Sequence, residues 1–395
     1  MAKASAHKLS FLEESTPGTT PDNPRWQRLP DTRNTLALNK DTLTSNRLSG
    51  NRFPNEPRQG ASNIVGDLPC DLSAETYDKF LEGALRGTWS TLSGTDTVEI
   101  NVDAGGAVAQ QEGDTIATTN GVVTVESVDG RLEETVLTYQ ATGSDVVTTY
   151  EFNDATAQVI DGASFVCDTY VDAAETQTLK AADDRHAYSF LREHSDFAGG
   201  EKPFLLYAGC EVNTWNLTAD ANGLALSTFT FLGRSMTGPS TAAPDDSSYK
   251  PAIDNQAFDT FSGAMEIDGV EQCIVTNYNL NLSNGLAPRY TVGCADPLSP
   301  EVGLSVVDGS LTVYFEDADI YEKYVNDESM SLVLTLADSF GRKRIIRLPN
   351  IRLVSGTQVD VSADGSLTLV VNFTAHYDET LQTHLQIDRD DAIAP

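Results

Sequence analysis

One short amphipathic helix is written into this sequence twice, each time at the same place in an order built otherwise of strands. That repetition limits the chain to tandem β-units that each carry one helix. In ETYDKFLEGAL (75–85), Tyr77, Phe80, Leu81, Ala84 and Leu85 recur at helical spacing and form one apolar face. Ser73 is the expected N-cap, Glu75 and Asp78 suit the positive end of the helix dipole, and Gly87 is the expected stop. DIYEKYVNDES (319–329) repeats the pattern, with Tyr77-Asp78-Lys79-Phe80 answered by Tyr321-Glu322-Lys323-Tyr324.

The flanking segments repeat too. A strand opened by Gly-Asp-Leu (66–68) or Gly-Ser-Leu (309–311) precedes each helix. After each helix comes a short strand, SFLREH or SLVLTL, and then a longer one, LLYAGCEVNTWNLTAD or IIRLPNIRLVSGTQVDVSAD. Asn-Gly-Leu or Asp-Gly-Ser then turns into a last alternating strand, LALSTFTF or LTLVVNFTA. The expected fold is mainly β: two tandem sandwich or half-barrel units, each covering one sheet face with its helix. Residues 61–87 and 185–235 make the first unit and 255–395 the second, with a Pro/Ser/Asp-rich linker at 236–254. Residues 1–60, punctuated by Pro17, Pro21, Pro24 and Pro30, read as an arm that is mobile alone and orders by docking. Trp26 and Phe53 are its costly exposed rings, and hence candidate contacts to another subunit.

Residues 88–184 change character. They are rich in Thr, Val, Asp and Gly, with alternating runs such as GVVTVESV and with Asp-Gly at 129–130 and 161–162, where hairpin turns fit. They read as an inserted all-β domain of immunoglobulin-like sandwich type. This segment holds 18 acidic and 2 basic residues, so half of the chain's net charge of -32 falls in a quarter of its length. A surface this acidic repels nucleic-acid phosphates and anionic lipids, which excludes binding by attraction but suits a path along which DNA must not stick. No run approaches the roughly 18 apolar residues that a membrane helix needs.

Catalytic patterns are thin, and no enzyme activity is expected. The five histidines, His7, His186, His194, His376 and His384, form no metal-protease motif, and there is no nucleophile elbow, phosphate loop or dinucleotide fingerprint. DADIYE (317–322) and DRDD (388–391) lack the spacing of a calcium loop, so no metal or cofactor is expected. The five cysteines, Cys70, Cys167, Cys210, Cys273 and Cys294, are odd in number and widely spaced, which fits free thiols of a chain folded in a reducing cytoplasm. Asn216, Asn281 and Asn372 open glycosylation triplets that strand polarity explains equally well. SFGRKRIIRLPNIRL gathers Arg342, Lys343, Arg344, Arg347 and Arg352, and its Gly341 suggests a hairpin tip presenting positive charge to the acidic surface of another copy.

In this order of elements the chain resembles the major tail tube proteins of long-tailed, non-contractile bacteriophages. SFLEESTPGTTPDNPRWQRLP is similar to the family's E-(T/S)-x-x-G-T-x-P opening, IVGDLPCDLSAETYDKFLEGALRGTW to its strand–helix segment, and LYAGCEVNTWNLTADANGLALSTFTFLGR and RLPNIRLVSGTQVDVSADGSLTLVVNFTAHYD to its late strands. The resemblance covers about 1–87 and 185–395; the insert departs from it. It implies a virion structural protein whose subunits form stacked rings around a tape-measure protein, bounded by tail terminator and tail tip proteins, with DNA passing through unbound and no membrane involved. Two copies per chain imply a homotrimeric ring with pseudo-sixfold symmetry, a homohexamer being the alternative. The insert is expected outside the tube. Glu211, Glu266 and Asp360 are the candidate lumen residues. An adhesive cell-surface β-protein, or a glycosidase using two carboxylates, are the readings from other classes.

Overall fold

A computed structural model describes residues 7–30, 33–45, 53, 55–90, 177–194, 203–315, 319–359 and 367–390, and the backbone of six strands between 96 and 171. The chain divides into two compact units, residues 1–89 with 178–395, and residues 90–177.

In the first unit the chain runs through β1 (His7–Glu14), β2 (Arg25–Arg28), β3 (Ala37–Leu43), β4 (Arg58–Asp71) and α1 (Asp78–Leu85). The second unit contributes β5 (Asp96–Val102), β6 (Thr115–Thr118), β7 (Gly121–Thr124), β8 (Glu134–Tyr139), β9 (Gln158–Ile160) and β10 (Ala163–Val171). Back in the first unit follow β11 (Gln177–Lys180), β12 (Ala187–His194), β13 (Phe204–Asp220), β14 (Ala225–Gly233), β15 (Ser235–Ser240) and β16 (Ser248–Lys250). The last stretch holds β17 (Asp259–Ile267), β18 (Val270–Glu271), β19 (Val275–Ser283), β20 (Ala287–Arg289), β21 (Leu298–Glu301), β22 (Val306–Tyr314), α2 (Asp319–Val325), β23 (Ser329–Ala337), β24 (Lys343–Val359), β25 (Thr368–Ala375) and β26 (Gln386–Asp390). The protein is mainly β, with two short helices among the described residues.

The smaller unit pairs its strands in the order β8-β5-β10-β9, with β6 and β7 as a separate hairpin. Ile160 stands opposite Ala163, while both Asp-Gly turns expected from the sequence lie outside the described residues.

In the larger unit the same pairings occur twice. β4, β14, β13 and β12 are neighbours in that order, and so are β22, β25, β24 and β23. β1 pairs with β12 as β17 pairs with β23, and β3 pairs with β4 as β19 pairs with β22. The irregularities coincide as well. Tyr188 faces Cys210 and Phe190 faces Tyr207 across a bulge, as Met330 faces Ile351 and Leu332 faces Leu348. A second bulge separates Val212–Phe231 from Thr214–Thr230, as one separates Leu353–Phe373 from Ser355–Asn372.

These bulges let one long strand serve two sheets, because a bulge bends a strand and raises its local twist. The first part of β13 lies between β12 and β15, and its remainder between β14 and β19. Apolar residues alternate along these strands, and their inward faces meet in one core. Phe80 of α1, fully buried, fills the space between the layers. Its ring centre lies 4.6 Å from Phe11, 5.3 Å from Tyr188, 5.7 Å from Phe229 and 5.4 Å from Phe231.

Several local expectations are corrected. The helix begins at Asp78, and Ser73 instead donates its hydroxyl to Thr76 Oγ1 at 3.0 Å. Arg86, not Gly87, takes the left-handed conformation at the helix end, with φ 51°. Gly87 answers a different need: a Cβ there would lie 2.2 Å from the Lys180 carbonyl oxygen. The N-terminal segment docks within its own chain. β1 pairs over its whole length with β12, because Leu9 and Phe11 bury their side chains in the core. The 236–254 stretch contains β16, which runs parallel to β2.

Candidate functional site: an assembly interface

Eight strands follow one another in the order β3-β4-β14-β13-β19-β22-β25-β24, each antiparallel to the next. The joint between the two repeated halves is β13 against β19, from Thr214 opposite Ser283 to Asp220 opposite Asn277. Trp215, Leu217, Tyr278, Leu280 and Leu282 are buried on one face of this joint. The other face is dressed with amides and hydroxyls. Asn216 Nδ2 donates to the Leu280 carbonyl at 3.3 Å, Asn279 Nδ2 to Thr218 Oγ1 at 3.1 Å, and Asn277 to the Asp220 carboxylate. Asn284, just past β19 and buried, donates to the Ala84 carbonyl at 3.0 Å and the Val212 carbonyl at 3.1 Å, tying the joint to the end of α1.

Further along the polar face stand Asp67, Asp71, Asp220 and Asp308, all exposed. Thr230 Oγ1 donates to Asp67 at 2.8 Å, and Asn281 Nδ2 to Asp308 at 3.2 Å. The sheet has two outer strands. Among the described residues β3 is paired only through β4, and β24 from Leu353 to Val359 only through β25. Rows of unpaired backbone donors and acceptors are templates for another strand.

The residues singled out by sequence fall into different places. Trp26 is fully buried with Leu12 and Leu191, and its indole donates to Ser247 Oγ at 3.1 Å, so it anchors the N-terminal segment in its own chain. Phe53 is 67% exposed. The basic hairpin is present, with Gly341 at φ 89°, but most of its charge is answered internally. Arg342 pairs with Asp338 at 2.7 Å, Arg344 with Asp78 at 2.9 Å, Arg347 with Asp388 at 2.6 Å and Arg352 with Asp327 at 2.8 Å. Arg344 is buried, and Lys343 alone of the leading trio is exposed. The tip therefore does not project a basic cluster: the acidic residues expected on a neighbouring copy are supplied by the same chain.

Glu211 is 1% exposed and clasped by Arg185 at 2.7 Å and Arg86 at 3.5 Å, so it faces no open space. Glu266 lies on β17, outside the eight-stranded sheet, and Asp360 lies outside the described residues. The polar-face aspartates are not among the residues singled out by sequence, and Asn216 and Asn281 stand out there only for strand polarity. Their signal was present in NTWNLTAD and NYNLNLSN, where polar residues alternate with large apolar ones.

One group among the described residues brings three possible metal ligands together: Glu13, Glu82 and His186. Lys79 Nζ already lies 2.8 Å from Glu82 and 3.3 Å from Glu13, and His186 Nδ1 lies 2.8 Å from Glu13, so the carboxylates have cationic and hydrogen-bonding partners. The His186 hydrogen bond holds the Glu13 carboxyl below its ordinary pKa, more than offsetting partial burial. The arrangement is an ion-pair cluster that fixes α1 against β1.

No curated protein matches this chain. The family described as phage tail tube protein matches residues 4–375, nearly the whole sequence including the insert. A mainly β protein whose eight-strand run ends, among the described residues, in two strands each paired on one side only suits a structural family whose members build a tube, and this chain belongs to the phage tail tube proteins.

Proposed function

We propose that the protein polymerises as stacked rings of three chains around a tape-measure protein, forming the conduit through which a phage genome leaves. The observation that carries this reading is the eight-stranded sheet made of two equivalent four-stranded halves. A head-to-tail contact between its two different edges is heterologous, and it closes into a ring when the rotation per chain allows. Three chains with eight strands each would make a barrel of 24 strands with pseudo-sixfold symmetry, and closure leaves no edge exposed.

The polar face of this sheet is the natural channel wall, since its opposite face is occupied by the core. Threonines and asparagines there, with Asp67, Asp71, Asp220 and Asp308, offer DNA no cationic foothold, which favours sliding over binding. The 90–177 unit, acidic and Thr-rich, belongs outside the tube in this reading. Tail terminator and tail tip proteins would cap its ends, in the virion tail.

Electron microscopy of the purified protein tests the reading. Hollow tubes or rings with three chains per ring are expected. Six chains per ring would replace the trimer with a hexamer, and a persistent monomer at high concentration would remove the tube assignment.

A further inference from the structure

The joint inside the chain is a template for the joint between chains. Resting on the tube reading above, we infer that β3 of one chain pairs antiparallel with the 353–359 part of β24 of the next, in the register set by β13 and β19. The two bulges of β13 and β24 fix the correspondence: Cys210 stands where Ile351 does, and Thr214 where Ser355 does. On the other partner, Gly66 faces Phe231 as Gly309 faces Phe373. Ala37 opposite Val65 therefore occupies the place of Asn281 opposite Asp308. Asn216 faces Asn281 within the chain, so Thr357 should face Ala37 of the next chain, and Ser355 should face Asn39.

Strand direction agrees. Each strand in the eight runs opposite to its neighbour, so β3 of a following chain meets β24 antiparallel, as β19 meets β13.

A second, independent observation comes from the helices. α1 is buried except at Lys79 and touches the second half of the chain, through Asp78 to Arg344 and Arg389 and through the Ala84 carbonyl to Asn284. Its counterpart α2 leaves Tyr321 42% and Val325 64% exposed. Equivalent helices with unequal cover are what a ring cut open at one joint presents: the first half lies beside the second, and the second has no such neighbour among the described residues until the next chain arrives.

A third contact crosses the internal joint. The excursion between β19 and β22 reaches back to β4, where Ser62 N donates to the Ala295 carbonyl at 2.9 Å and Ser62 Oγ to Asp296 at 2.8 Å. The counterpart of that excursion joins β3 to β4 and carries the exposed Phe53. Ser305 is the counterpart of Ser62, so the same contact made between chains would fall near Ser305 of the preceding one.

Cysteine pairing in the full-length assembled protein tests the register. In a background carrying Cys167→Ser, Cys273→Ser and Cys294→Ser, the pair Ala37→Cys with Thr357→Cys should oxidise across the joint and give a non-reducing ladder ending at three chains. The offset pair Asn39→Cys with Thr357→Cys should stay reduced. Amide exchange on the unaltered protein provides a check that needs no variant: residues 37–43 and 353–359 should exchange more slowly in tubes than in monomers. Tubes that form with unchanged exchange there, or with cross-links at the offset pair, would overturn this joint while leaving the tube reading intact. An unaltered protein that forms neither rings nor tubes would remove the tube reading itself.

Discussion

Arg344 on β24 grips Asp78 at the start of α1 with two nitrogens, Nη2 at 2.9 Å and Nε at 3.2 Å, and both side chains are buried. The contact joins one half of the chain to the other, and Arg389 adds a third hydrogen bond at 2.8 Å. Removing one member of such a pair leaves a charge in a poor solvent for it, which typically costs about 3–5 kcal/mol. Asp78→Ala should therefore lower stability by about 3 kcal/mol or more in urea unfolding. Conversely, Lys323→Ala, which removes a pair between half-buried Lys323 and exposed Asp268, should change it by only about 1 kcal/mol.

Gly66 and Gly309 hold equivalent positions opposite Phe231 and Phe373. A Cβ on Gly66 would lie 2.4 Å from the Leu36 backbone, and one on Gly309 would lie 2.2 Å from the Asn279 carbonyl oxygen. Backbone cannot yield as a flexible side chain would, so Gly66→Ala and Gly309→Ala should each destabilise by about 1–3 kcal/mol. Thermal unfolding of the two variants measures this, and similar losses are expected at both sites.

Glu14 gives the N-terminal motif its physical meaning. Its carboxylate accepts from Gly18 N at 2.6 Å, Gly209 N at 2.9 Å and Ser189 Oγ at 2.5 Å, closing the turn after β1 and seating it on the bulge of β13. Glu14→Ala leaves these donors unmatched, at a cost on the order of 2 kcal/mol or more. Limited proteolysis should then cut within residues 15–30 faster than in the unaltered protein.

Thiol chemistry should divide the cysteines. Burial raises the pKa of Cys70 and Cys210, which keeps them as thiols at neutral pH, whereas Cys273 and Cys294 are exposed. A maleimide reagent should modify Cys273 and Cys294 in the native monomer and reach Cys70 and Cys210 only after denaturation, as read by mass spectrometry of tryptic peptides.

Burial lowers the pKa of His384 from 6.5, so the unfolded chain takes up its proton first on acidification. The folded state accordingly loses stability as pH falls from about 6.5 toward the lower folded-state value. His384→Gln should flatten the pH dependence of the urea midpoint in that window, leaving the steeper carboxylate-driven loss at lower pH.

Much of the architecture was legible in the chain. The apolar face of 75–85, the alternation in the late strands and the paired Gly-Asp-Leu and Gly-Ser-Leu openings are local patterns, and local patterns report local geometry. They placed both helices and the repeated order of strands, because period 3.6 and period 2 follow from backbone geometry alone. The helix cap was misjudged: Ser73 has the right chemistry for a cap, but its hydroxyl turns to Thr76 instead.

The site was less legible, since charge partners are set by contacts between residues far apart in sequence. Arg342, Lys343 and Arg344 read as an exposed cluster when taken as neighbours. In space Arg344 lies against Asp78, 266 residues away, and Glu211 against Arg185 and Arg86. Trp26 likewise read as a ring awaiting a partner, yet its pocket is built by β1 and β12 of the same chain. Residue order alone determined that this protein is mainly β, with short helices after the Gly-Asp-Leu and Gly-Ser-Leu strands. Only folding decided which strands remain at the borders and which charges face each other, because burial and pairing depend on where distant segments meet.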